Sequence, residues 1–392
     1  MIKLIYLVGR CAATIFLILG IGRFTYAATN DDPVDDRDPE VSTPAVTPDI
    51  RDDEIPLKIQ SGDKLIVPLL FSNPTLDTGI VAVGAYFYPQ TEEQKEEQPA
   101  SVTGGGVIYS SNDSKALAVG HQSYWGGDRW RLGGAVGYAD LKLSVLLPLT
   151  LGSRDRVDWN VAGNIAFAKL SRNVMGNWFI GVSGRWSDIE QSFGLGIPPD
   201  GVGLNPVRYD LSADTVTAGL GIAIENDSRD MPMNSYQGHK FELSALFNDE
   251  ALGSDNTYQS YKMAYSSYHE LGPSVVLAWE VQGCVRRGLV PIWDGCRIPL
   301  RGFSAFDYIG KESLAGQMEL RWRLGTRWGV AGFAGAGYID ESTLGLNDNK
   351  TIPSYGIGVR FMALKAKRIN LRLDIAKSED SEAIHFSIGE AF

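Results

Sequence analysis

The chain has 392 residues, with 36 basic against 47 acidic, a formal net charge of −11, 44% hydrophobic residues and 44 glycines, well above the about 7% glycine of ordinary proteins. That hydrophobic content excludes disorder over most of the length, and the acidic balance argues against a nucleic-acid partner. Beyond residue 30 no apolar stretch reaches the ~18 residues of a membrane-crossing helix, and His121, His239, His269 and His385 never cluster at metal-ligand spacing.

Residues 1–27 have the layout of a secretory signal peptide. Lys3 and Arg10 precede a largely apolar run at 12–22, and Thr25-Tyr26-Ala27 offers a small-residue cleavage site. The run is too short to cross a hydrocarbon core of ~30 Å as an anchor helix. Residues 29–56 hold ten acids, two arginines and five prolines. Such a segment buries almost nothing and repels itself, so a disordered acidic tail over 28–60 is expected. A second acidic run at 91–98 reads as a solvated loop. Export also bears on the cysteines. Cys11 leaves with the signal, and Cys284 and Cys296 then have one intramolecular pairing in an oxidising compartment; the alternative is two free buried thiols.

From about residue 79 onward, ten-residue stretches alternate apolar and polar positions between turn-rich segments. At 313–324, Leu314, Met318, Leu320, Trp322 and Leu324 share one face, and Gln317, Glu319, Arg321 and Arg323 the other. The same pattern recurs at 215–225, 241–247, 275–282, 355–363 and 370–376. Period two is the strand period. In a soluble sandwich the apolar face would be the core; in an outer-membrane barrel it meets lipid and the polar face lines the lumen.

Three features favour the barrel. Glycines such as Gly219, Gly221, Gly356 and Gly358 interrupt the polar face, as a crowded interior requires. Trp130, Tyr138, Trp178, Trp186, Trp328 and Tyr338 sit near strand ends, where interfacial girdles form. The chain finishes on an alternating strand with Ile384, Phe386, Ile388 and Phe392 on one face. The length suits about 16 strands with their connections, and residues 141–150 are where a strand is most easily missed.

Three stretches resemble the BamA/TamA-type outer-membrane assembly barrels, or bacterial surface antigens. Leu300-Arg301-Gly302-Phe303 resembles the family's (V/L)-R-G-(F/Y) motif, borne on a long extracellular loop that folds back into the lumen. Asp227-Ser228-Arg229-Asp230, followed by Pro232 and Gly238, resembles its D-T-R-D turn. The terminal three strands match as well, ending Phe386-Ser387-Ile388-Gly389-Glu390-Ala391-Phe392. The likeness spans roughly residues 65–392. It implies 16 strands and a weak seam between the first strand, here 79–89, and the last, 384–392. It also implies that the terminal strand is the signal read by the barrel assembly machinery. Gly389 would weaken pairing at that seam; in a fully closed barrel it would be only a packing choice.

The resemblance further implies that Arg301 pairs with an acid on the next strand, which Glu319 matches. A second acid is expected in an F-x-D-x-G pattern, but Phe333-Ala334-Gly335-Ala336-Gly337 puts Gly335 at that place, so a thinner anchor is expected. A charge swap of Arg301 and Glu319 should then partly restore what either change loses. The bland alternative is a surface arginine in a glycine-rich turn. Family members that insert or export proteins carry periplasmic receiving domains, for which residues 28–60 leave no room. A separate periplasmic partner would have to supply that function.

No catalytic constellation survives. Gly219-Leu220-Gly221 and Gly335-Ala336-Gly337 lack a following helix, and Gly181-Val182-Ser183-Gly184-Arg185 breaks the G-x-S-x-G pattern at its last position. No enzyme activity, cofactor or metal is expected. The expected molecule is an all-β, transmembrane antiparallel barrel over 61–392, inserted among outer-membrane lipids and serving outer-membrane biogenesis or transport. The competing role is a passive pore lined by Glu225, Glu242, Lys262, Glu280, Arg321, Arg323, Arg360, Arg372 and Asp374.

Overall fold

The computed structural model describes residues 64–392 apart from 74, 151–152, 198–206, 232–233, 303–305, 307, 341–348, 366–367 and 379–381. The expected signal peptide, the acidic tail and Phe303 lie outside the described residues, as do the side chains of Phe386 and Ile388. Sixteen antiparallel strands form one sheet in strict chain order. They are β1 (Lys64–Asn73), β2 (Asp77–Phe87), β3 (Val102–Ser110), β4 (Lys115–Trp125), β5 (Trp130–Thr150), β6 (Ser153–Met175), β7 (Trp178–Ile197) and β8 (Val207–Asp227). Then follow β9 (Gly238–Asn248), β10 (Tyr258–Gly272), β11 (Val275–Gly288), β12 (Glu312–Leu324), β13 (Trp328–Asp340), β14 (Asn349–Leu364), β15 (Ile369–Ser378) and β16 (Glu382–Ile388).

The strand expected first, at 79–89, is the second. β1 precedes it and pairs along its whole length, from Lys64↔Tyr86 to Asn73↔Asp77. Its sequence KLIVPLLFSN carries a nearly continuous apolar run with Pro68 inside it, so the alternation that marks the later strands is missing. Proline lacks a donor and is confined to edges of a sheet, and β1 is an edge. The seam therefore belongs to β1 and β16. These two approach within 8 Å, Cα to Cα, yet no ladder joins them among the described residues.

The apolar face looks outward. On β12, Leu314, Met318, Leu320, Trp322 and Leu324 are exposed, while Gln317, Glu319 and Arg321 between them are buried. That inversion of a soluble core is what a lipid-facing sheet requires. Two aromatic levels bound the outer band. Trp130 and Tyr138 on β5, and Trp178 and Trp186 on β7, share the outer face of their strands. Eight positions at about 3.3 Å each separate members of a pair by roughly 26 Å along the strand, close to the ~25 Å apolar band of such barrels. Trp125 stacks on Trp130 with centroids 6.4 Å apart, and Trp328 meets Phe361 at 4.9 Å, fixing the lower level.

β5 to β8 run well past the upper aromatic level, so residues 141–150 are the continuation of β5 and not a separate strand. The enclosed side there is apolar, contrary to the expectation of a polar lumen throughout. Leu141, Trp159 and Ile189 from these extensions join Val81 and Val83 of β2 in one buried cluster with Trp293, Phe306 and Ile309 of the β11–β12 connection. β2 accordingly has apolar residues on both faces, Val81 and Val83 within and Ile80 without. One further element departs from expectation. Residues 92–97 form a short helix, α1 (Glu92–Glu97), because Thr91 and Gln94 make a reciprocal capping box.

Candidate functional site: the loop held in the lumen

The β11–β12 connection, residues 289–311, enters the barrel and is fastened at two places. The first is a disulfide. Cys284 on the inner face of β11 bonds Cys296 of the loop, with Cα atoms 5.7 Å apart and twelve positions of separation. Beside it the loop closes on itself, Cys296 N–H donating to Gly310 O at 2.7 Å and Gly310 N–H to Cys296 O at 3.0 Å. Preventing the bond, as in a Cys284→Ser/Cys296→Ser double variant, should lower unfolding stability by about 3 kcal/mol for a loop of this size. Thermal unfolding with and without reductant checks this, and reductant should then no longer affect the variant.

The carboxylate of Asp294 sits at the same end, fully buried. Arg185 of β7 donates to both its oxygens, at 3.2 and 2.6 Å. Tyr258 of β10 donates its hydroxyl at 2.6 Å, and Arg286 of β11 donates Nε to the Asp294 backbone oxygen at 2.9 Å. Burial alone would raise the Asp294 pKa, but the Arg185 and Arg286 guanidinium groups hold it well below the usual carboxylate range. No sequence motif signals this anchor, because its partners come from three strands far apart in the chain.

The second fastening is Arg301. Its Nη1 donates to Glu319 Oε2 at 2.6 Å and to Asp374 Oδ2 at 2.8 Å, and its guanidinium lies over Phe333 at 3.4 Å from the ring centroid. Gly335 leaves its own strand without an acid, as expected from the sequence, but the anchor is not thin. The second carboxylate comes from β15 instead. Around the pair, Arg321 Nε donates to Glu319 at 2.7 Å, and Arg360 donates to Asp374 at 2.5 Å and to Glu390 at 2.9 Å. Arg301, Arg321, Arg360, Glu319, Asp374 and Glu390 are all buried. Charges this deep must be mutually paired, and bidentate-capable guanidinium groups are suited to it.

Leu300 packs with Ile298, Tyr308, Ala315, Ile339 and Ile352, and Gly302 (φ 104°) carries the turn after Arg301. A side chain there would press on the Lys377 backbone at 3.0 Å, so the turn requires glycine. Ser354 Oγ donates to the Arg301 backbone oxygen and Ser378 Oγ to that of Gly302 at 3.1 Å. Of the residues assigned to a pore by the sequence, Glu280, Arg321, Arg360, Arg372 and Asp374 are buried; those at the loop tip are spent on holding it.

The D-S-R-D turn closes the opposite end. Asp227 accepts from Arg229 Nε at 3.0 Å and Nη2 at 2.9 Å. Asp230 accepts from Tyr236 N–H at 2.9 Å and also takes Arg368 of the β14–β15 turn. Gly238 opens β9. The turn thus crosses beneath the barrel, with Arg323 and Arg368 at 4.1 and 4.0 Å from the Tyr236 ring centroid.

The terminus departs from expectation. β16 ends at Ile388, and the backbone turns at Gly389 (φ 81°). Glu390 and Phe392 then lie inside: Phe392 meets Tyr268 of β10 at 6.4 Å, and the Arg321 guanidinium is 5.6 Å from its ring centroid. Phe392 therefore does not continue the lipid face of Ile384.

The Omp85 superfamily domain matches residues 121–392. Among solved structures, BamA from Haemophilus ducreyi lacking POTRA domains 1–3 is similar at 14% identity, TM-score 0.56, over 83% of this chain and 69% of that one. CdiB from Acinetobacter baumannii (12% identity, TM-score 0.56) and CdiB from Escherichia coli (10%, 0.56) each align over 83% of this chain and over 59% and 62% of their own. No curated protein sequence matches. The chain belongs to the Omp85 superfamily and is an outer-membrane β-barrel protein of bacteria.

Proposed function

We propose that this barrel serves outer-membrane biogenesis or the transport of proteins or lipids, using the β1–β16 boundary as its working edge. The observation that carries this reading is the missing ladder between strands that lie side by side. Unpaired N–H and C=O groups along such an edge are a template for an incoming strand. The lumen-held loop supports the reading, since a barrel whose interior is filled by a double-anchored loop is poorly suited to free passage of solute. In this scheme a periplasmic partner delivers the substrate to the turn end. The C-terminal strand, with Phe386, Ile388, Gly389 and Phe392, is what the assembly machinery reads before the barrel closes on Glu390 and Phe392.

The test is a cross-link. Single cysteines are paired across the boundary, scanning positions 66–70 of β1 against 384–387 of β16, and bridged with a bifunctional maleimide that leaves Cys284–Cys296 intact. The bridged barrel should remain folded but fail to restore the envelope defects of a depleted strain. Full activity with the edge locked would defeat the proposal. Steady large conductance in planar bilayers, with no envelope defect on depletion, would instead establish a passive pore.

A further inference from the structure

The disulfide side of the loop borders an open-sided cavity of about 280 Å³, lined by the loop and the inner faces of β6 to β12. Lys169, Lys262, Arg286 and Arg297 line it against the two carboxylates Glu225 and Glu242. Both carboxylates are already engaged: Glu225 by Lys169 at 2.9 Å and Arg131 at 3.7 Å, and Glu242 by Lys240 at 2.8 Å.

Arg297 is in a different position. It is 5% exposed. Its Nη2 donates to the Trp293 backbone oxygen, and its guanidinium lies 4.1 Å from the Phe306 ring centroid. Its Nε and Nη1 have no hydrogen-bond partner among the described residues, and neither has Nη2 of Arg286. That last nitrogen has only the ion-pair contact with Asp294 Oδ1 at 3.6 Å, and it shares this carboxylate with Arg185 and Tyr258. Burial lowers the Arg297 pKa from its ordinary value, as expected of a cation short of counter-charge. Buried cations without an anion are costly, and buried donors are normally satisfied. Arg185, Arg286 and Arg297 thus have the single carboxylate of Asp294 close by, and Arg286 and Arg297, which both line the cavity, keep three buried nitrogens without a hydrogen-bond partner among the described residues, so cations outnumber anions at this wall.

We propose that this cavity binds a compact oxyanion of the phosphate class, with Arg297 and Arg286 as its ligands. The planar donor forks of two arginines match the oxygens of a phosphate group, and the volume admits a phosphate monoester with a small body. The anion comes either from a soluble phosphate or from a lipid headgroup. Once bound, it would tie the loop to the β11 wall beside the disulfide, adding a chemical input to the lumen-held loop.

The experiment uses the full chain purified in detergent. Inorganic phosphate and glycerol phosphate are titrated calorimetrically against chloride at equal ionic strength, and micelles with and without phosphatidic acid are compared. Thermal unfolding is followed in parallel for the wild type and Arg297→Met. Phosphate should raise the unfolding temperature of the wild type where chloride does not. Arg297→Met should bind phosphate at least tenfold more weakly, or about 1.4 kcal/mol, yet be no less stable than the wild type without phosphate. A shift given only by phosphatidic acid identifies the headgroup as the source; one given by inorganic phosphate identifies a soluble anion. Equal effects of phosphate and chloride on the wild type would overturn the proposal. So would undiminished binding by Arg297→Met, or a loss of stability in that variant that is the same with and without phosphate. If the variant does not fold, the wild-type comparison of phosphate with chloride decides alone.

Discussion

Arg301→Ala should release the lumenal loop while the barrel stays folded, at a cost of about 3 kcal/mol. Removing one partner of a buried ion pair costs about 3–5 kcal/mol, and the stacking on Phe333 adds up to about 2. The lower end is expected because Glu319 keeps Arg321 and Arg360, and Asp374 keeps Arg360, so neither carboxylate is stranded. Limited proteolysis of native protein should then cut within residues 289–311, and bilayer conductance should rise. Unaltered protection of the loop would show that the disulfide and Asp294 suffice without Arg301. The reciprocal swap Arg301→Glu/Glu319→Arg should not rescue, contrary to what the sequence pair alone suggests. The new glutamate would face Asp374, which Arg301 now reaches at 2.8 Å. The new arginine would sit among Arg321 and Arg360, whose nitrogens lie 2.7 and 3.3 Å from the Glu319 carboxylate.

The expected failure of that swap rests on Asp374 and Arg360, which lie on strands that no local sequence pairing joins to Arg301. The period-two pattern of β12 and β15 made the architecture and the lipid face legible, because on those strands the enclosed side is polar. β1 is not legible for the converse reason: its nearly continuous apolar run around Pro68 lacks the contrast that identifies a strand, so the strand legible at 79–89, which is β2, takes first place in the sequence reading. The pairing of Arg301 with Glu319 is what the family resemblance of the loop motif implies for an acid on the next strand. Its pairing with Asp374 depends on where the loop tip lies across three strands, which no local spacing encodes, although the alternation of β15 does place Asp374 on the inner face. At the terminus the alternation runs on through Gly389 in the sequence, but the left-handed backbone of that glycine breaks the strand and sends Phe392 inward. Asp294 offered no signal, being a lone acid in a loop whose meaning lies in Arg185, more than a hundred residues earlier.

Asp294 is also where the largest single loss is expected. Asp294→Asn keeps the shape and one acceptor but removes the carboxylate that Arg185 and Arg286 both approach. Two buried guanidinium groups, with Arg297 close by in the chain, would then be left without their anion. A cost of about 3–5 kcal/mol follows for an uncompensated buried charge. It should exceed that of Arg301→Ala, because no second carboxylate stands in among the described residues. The pH dependence carries the same signature. The folded pKa of Asp294 is depressed, so its contribution is fully present above the unfolded value of about 3.9 and is lost only as pH falls through the lower folded value. Loop docking in the wild type should therefore be constant from neutral pH down to about 4 and weaken below it. The Asn variant should be weak throughout and lack that acid-range slope. Proteolytic protection of the loop measured across this range tests both statements. A wild-type transition near pH 6 would mean that a different group, not Asp294, governs the loop.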